Sequence, residues 1–146
     1  MKTKIKDIIL IVGILIIAIS GFFMFSNVFK NTKSNMAIII QNNEIVAKVD
    51  FINQEVEILI TDGNYPIVNE ELSTITLLGN SQGGQRYEFV IKYDFTKHSM
   101  QVIEEVSPKH YSSLIGEQTK QPITSIPNGI RIVFSDDGEV NVDDSL

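Results

Sequence analysis

Ser107, His110 and Ser112 stand close together in the segment "VSPKHYSS", and Ser125 follows in "ITSIPNG". A serine hydroxyl becomes a nucleophile when a neighbouring imidazole takes its proton and a carboxylate orients that imidazole. Ser107 and Ser112 beside His110 would supply the first two parts of such a site, in a ligand-binding or hydrolytic domain. No Gly-x-Ser-x-Gly elbow accompanies them, and that turn is what exposes the nucleophile in one large class of hydrolases. The chain is therefore expected not to be an enzyme. The other histidine, His98, falls in a turn between apolar runs and reads as a solvent-exposed turn residue. The acidic group Asp136, Asp137, Glu139, Asn141, Asp143 and Asp144 lacks the alternating ligands, central glycine and distant glutamate of a calcium loop. It reads instead as a charged terminal strand.

The chain has no cysteine, which excludes disulfides, a thiol nucleophile, an iron–sulfur cluster and a cysteine-type zinc site. No cofactor and no metal are expected. From Ser34 to Leu146 there are seven basic and 17 acidic residues, a balance of −10. Such a surface repels nucleic-acid phosphates, and no basic stripe offsets it, so nucleic acid is not expected as a partner.

Residues 8–25, "IILIVGILIIAISGFFMF", carry no charge. About 20 apolar residues cross a bilayer core, and the run ends in bulky residues where a signal peptide would end in small ones. The expectation is an uncleaved anchor over residues 8–27. Lys2, Lys4 and Lys6 precede it and place the amino terminus, residues 1–7, in the cytoplasm. A linker over 28–35 then leads to an extracytoplasmic β domain over 36–142 and a disordered tail over 143–146, on a single-pass protein of the cell membrane.

The domain reads as all-β, a small sandwich or partly open barrel of seven to nine short antiparallel strands. "MAIIIQNNEIVAKVDF" predicts two strands about Gln41-Asn42-Asn43, with Ile45, Ala47 and Val49 on one face and Val46 and Lys48 on the other. "EVEILI" and "LSTITLLG" predict further strands. In "RYEFVIKYDF" Tyr87, Phe89, Ile91, Tyr93 and Phe95 alternate onto one face. "SMQVIEEV" returns with Met100, Val102 and Glu104 on one side. Ser107 to Gly116 reads as a helical turn or a loop, and Ser107-Pro108 suits a helix start, with serine as cap and proline first. "QPITSI" and "GIRIVF" flank Pro127-Asn128-Gly129 as a hairpin, with Ile126 and Ile130 opening the two strands. "EVNV" predicts a last short strand. No internal repeat is evident.

The last third resembles the family of small membrane-anchored proteins that carry domain II of the transcription factor NusG. Its signature is Cys-Pro-x-x-x-Cys, a glycine, then Cys-Leu-Pro-Asn and an apolar strand. Ser107, Pro108 and Ser112 occupy the first segment, Gly116 stands near the glycine, and Ser125, Pro127 and Asn128 occupy the second, before Gly129 and "GIRIVF". Serine replaces all three cysteines, so any redox or metal role of those cysteines is absent here. The resemblance implies that these residues mark the fold. It also implies a non-catalytic accessory domain whose partner is another membrane or envelope protein, with a transporter or an electron-transfer component as the candidates.

Overall fold

The asparagines of Gln41-Asn42-Asn43-Glu44 both take positive φ, 50° and 67°, which a two-residue hairpin connection requires and asparagine tolerates. They join β1 (Met36–Gln41) to β2 (Glu44–Asp50) in a computed structural model that describes residues 10–21, 33–107 and 109–140. Then follow β3 (Glu55–Ile58), β4 (Ile67–Asn69), β5 (Thr74–Leu78), β6 (Glu88–Asp94) and β7 (Ser99–Glu104). A short helix α2 (Tyr111–Ile115) precedes β8 (Ile123–Ser125) and β9 (Ile130–Ser135). Residues 10–21 form helix α1, a unit separate from residues 33–146. No helix among the described residues is long and apolar enough to cross a membrane. The rest of the expected 8–27 span, residues 1–7, most of the linker and the 143–146 tail lie outside the described residues, as does Pro108.

The fold is mostly β: the described residues form nine strands in two antiparallel sheets of order β3-β2-β1-β9-β8 and β4-β5-β6-β7. Alternation supplies the buried faces. Ala37 and Ile39, Ala47 and Val49, and Ile130 and Ile132 come from the first sheet. Ile75 and Leu77, Phe89, Ile91 and Tyr93, and Met100 and Val102 come from the second, and all belong to one apolar cluster. Burying side chains of this kind contributes about 1.5–3 kcal/mol each.

Two bulges change the expected faces. One lies at Ile39/Ile40 in the β1–β2 register. It shifts the alternation so that Val46 joins the buried cluster instead of facing away with Lys48. The other lies at Val90/Ile91 in the β6–β7 register. It moves the inward position from Glu104, which is exposed, to Glu105, which is buried. A single inserted residue reverses the side to which every later side chain points.

Two hairpins repeat one sequence. Glu44-Ile-Val46-Ala-Lys48-Val-Asp50-Phe51 and Glu88-Phe-Val90-Ile-Lys92-Tyr-Asp94-Phe95 agree at the five numbered positions. Their registers agree as well: Val49 pairs with Val56 and Asp50 with Glu55, as Tyr93 pairs with Met100 and Asp94 with Ser99. Asp50 accepts the amides of Ile52 and Asn53, and Asp94 those of Thr96 and Lys97. Each turn ends in a residue of positive φ, Gln54 at 57° and His98 at 55°. The chain thus contains an internal repeat that pattern reading misses, because the shared residues are scattered through two ordinary strands.

His98 is not a free turn residue. Its ring stacks on Phe51 at 5.4 Å between centroids, and its Nδ1 lies 3.0 Å from the Ser34 carbonyl. Residues 139 and 140 form no strand; Asp137 instead accepts the Ser135 hydroxyl and the Glu139 amide in a turn.

Candidate functional site

The β8–β9 connection is built on its own last residue. Gly129 has φ 65°, and its amide donates to the Ile126 carbonyl at 3.0 Å. β8 ends at Ser125, which pairs with Ile130. Ile126 therefore sits in the turn, 84% exposed, and does not open a strand. A side chain on Gly129 would meet Asn42 Oδ1 and Asn80 Nδ2. Those two asparagines exchange reciprocal amide hydrogen bonds at 3.0 Å.

Asn128 is 1% exposed. Its Nδ2 donates to Ser125 Oγ at 2.8 Å, and the Ser125 hydroxyl donates to Glu105 Oε2 at 3.0 Å. Glu105 Oε1 accepts the Ser113 amide at 2.9 Å. On the other side, Gln82 Nε2 donates to Asn128 Oδ1 and to the Val106 carbonyl. This chain of bonds ties the β5–β6 connection, the end of β7, α2 and β8 together. Glu105, 4% exposed, is its centre. Among the described residues no lysine or arginine pairs with it, so hydrogen-bond donors alone compensate its burial. Every buried side-chain nitrogen and oxygen among the described residues has a partner.

The helix begins later than the Ser-Pro pair suggests. His110 is the residue before its first turn, in the left-handed region at φ 49°, ψ 36°. Ser107 Oγ accepts the His110 amide at 2.9 Å. The serine thus caps the bend before the helix, and the helix has no side-chain cap of its own. Gly116, at φ 76°, closes its other end.

The candidate hydrolytic residues are not wired for proton transfer. His110 Nδ1 lies 3.0 Å from the Glu105 carbonyl. A carbonyl only accepts, so this nitrogen carries a proton. The Ser112 hydroxyl donates to the Thr124 carbonyl at 3.2 Å. Neither serine hydroxyl bonds to the imidazole. Among the described residues no three of His, Asp or Glu gather as a metal site.

The structure does bring the three serines together. Ser107, Ser112 and Ser125 line one open depression of about 270 Å³, with Tyr111, Ile126 and Pro127 around it. Its accessible wall is almost wholly apolar, because the hydroxyls are turned into the hydrogen-bond network. Tyr111 is 62% exposed and Leu114, on the same helix, 75%. Lys109 Nζ lies 5.6 Å from the Tyr111 ring centre. Sequence reasoning found the serines and Asn128 but missed Glu105, Gln82 and the exposed Tyr111, Leu114 and Ile126. An isoleucine inside a Pro-Asn-Gly turn was the one available signal for the last group.

Compared with known proteins, the chain matches no family model, no curated protein and no solved structure.

Proposed function

We propose that this protein is a non-catalytic accessory domain, anchored in the cell membrane by its amino-terminal segment, which binds another membrane or envelope protein outside the cytoplasm. The observation that carries the reading is the fate of the serine motif. Ser107, Ser112 and Ser125 spend their hydroxyls on the backbone and on Glu105, and what reaches the surface around them is apolar. Tyr111, Leu114 and Ile126 expose large apolar side chains at one end of the domain, the kind of surface that marks a protein contact. The uncharged run from Ile8 to Phe25 and the preceding lysines support the anchor and its orientation. The resemblance to NusG domain II is consistent with this role, and the strand patterning and two antiparallel sheets support a small β-sandwich or partly open barrel.

The test has two arms in intact cells. Protease added outside should remove the β domain from the full-length chain. A photoreactive residue at Ile126 should then form an adduct with one defined protein, whereas one at the exposed Glu71 should not. A domain digested only after lysis would reverse the orientation. Identical adduct patterns at both positions would remove the apolar end as the contact. Labelling of Ser107 or Ser112 by a fluorophosphonate, lost in His110→Ala, would favour the hydrolytic alternative instead.

A further inference from the structure

The repeated hairpin exposes an asymmetry between the two sheets. Each sheet has two edges, and an edge strand turns alternate N–H and C=O groups outward. On the second hairpin those groups are used: Met100 exchanges both backbone bonds with Gln118, each at 2.9 Å. The neighbouring β8 edge is also engaged, since the Thr124 carbonyl accepts the Ser112 hydroxyl. On the first hairpin the residue equivalent to Met100 is Val56. The Leu59 amide bonds back to β2 at the Val46 carbonyl. The backbone N–H and C=O groups of odd-numbered residues of β3 therefore face β2, and those of Val56 and Ile58 point away from the sheet, while the Val56 and Ile58 side chains pack on the core. Among the described residues, no backbone bond outside the sheets reaches Glu55–Ile58 or Ile67–Asn69.

These two free edges border the same groove, an open space of about 890 Å³. Val56, Val68 and Tyr93 give it an apolar side, whereas Asp50, Glu55, Glu57 and Glu70 face it against the single cation Lys48. Burial, and then the proximity of Glu70, raise the Tyr93 hydroxyl above its ordinary range. A second copy of this chain is a poor occupant, because its own β3 would set Glu55 and Glu57 against their equivalents.

We propose that the free edge of β3 binds an extended segment of a partner protein in which basic and apolar residues alternate, by adding it as a further strand. Val56 donates and accepts the backbone bonds, as Met100 does with Gln118. The apolar residues of the segment lie toward Val56 and Val68, and its lysines or arginines toward Glu55, Glu57 and Asp50. Strand addition of this type draws affinity from the main chain and selectivity from alternate side chains. The inference does not depend on the apolar end near Ile126 or on the accessory role.

The experiment uses the full chain in mild detergent and a fluorescent six-residue peptide alternating lysine and valine, read by anisotropy. Binding should slow amide exchange at Val56 and Ile58. It should weaken at least tenfold when alternate peptide amides are N-methylated, which keeps the charge and removes the pairing. Glu55→Gln with Glu57→Gln should weaken it several-fold, and raised salt should do the same. Val56→Pro removes one outward N–H at an edge position where proline is tolerated, and should abolish binding; since Val56 also packs on the core, Val56→Ala, which loses that packing but keeps the N–H, should retain measurable binding. Binding unaffected by N-methylation would reduce the groove to a patch of negative charge and overturn the proposal. So would no binding at all, equal binding of a glutamate–valine peptide, or exchange protection confined to other strands.

Discussion

Replacing Gly129 by valine should cost the β domain much of its stability, for two separable reasons. The residue has φ 65°, where an L side chain costs about 1–2 kcal/mol and a β-branched one resists most. Its Cβ would also run into Asn42 Oδ1 and Asn80 Nδ2 and force apart a pair of reciprocal hydrogen bonds, each contributing about 0.5–1.5 kcal/mol. Together these give about 2–5 kcal/mol. For a domain of this size 1 kcal/mol moves the melting temperature by several degrees, so the loss should be about 10–20 °C. Thermal unfolding of the full chain in detergent, followed by the β signal in circular dichroism, measures it. Gly129→Asn separates the causes, because asparagine accepts positive φ but still carries a Cβ; it should lose about half as much. If Gly129→Asn melts with the parent, the close approach to Asn42 and Asn80 is not a constraint. If Gly129→Val also melts within about 2 °C of the parent, the whole account of the turn fails.

Glu105→Ala should destabilise by about 1–3 kcal/mol, since it strands the Ser113 amide and the Ser125 hydroxyl while relieving the burial of a charge. Glu105→Gln, which keeps one acceptor oxygen, should fall between, and urea denaturation of the three proteins ranks them; equal midpoints would deny the network its role. Acid should unfold the domain through its turns. Amides of Asn53 and Lys97 hold Asp50 and Asp94 below the usual carboxylate range, and the Ser99 hydroxyl, then Lys97, does the same for Glu117. Folded values below unfolded ones give stability that is complete above about pH 4–5 and is lost as pH falls through the folded values. Asp50→Asn with Asp94→Asn should flatten the acid limb of the melting temperature between about pH 5 and 2, and an unchanged limb would mean that other groups drive it.

The strands were legible because alternation alone sets them: Phe89, Ile91 and Tyr93 could only face one way together. The Asn42-Asn43 turn was legible from turn chemistry. What escaped was whatever depends on a count being off by one. Nothing in "VIEEV" says which glutamate turns inward, since the bulge that decides it arises from pairing with a distant strand. The start of α2 escaped for a related reason. His110 in a left-handed conformation is imposed by the Ser107 and Glu105 contacts, and no propensity announces it. The serines were correctly placed near one another, but only the folded chain reveals that their hydroxyls point into the domain and leave an apolar surface behind.

The chain joins the β domain at Lys33, whose Nζ reaches the Thr96 carbonyl, next to Ser34, whose amide donates to Thr119. Ile126 lies beyond the opposite ends of the strands. β1 leaves the first of these points and β9 leaves the second, side by side and antiparallel, through six residue pairs from Met36–Ser135 to Gln41–Ile130. A partner gripping the Ile126 end would therefore pull against the tether along the strand axis. The interstrand hydrogen bonds lie across that axis, so tension loads all of them at once in shear and does not peel them one by one. Under the proposed anchoring and contact, such wiring would let the domain bear tension without coming apart strand by strand.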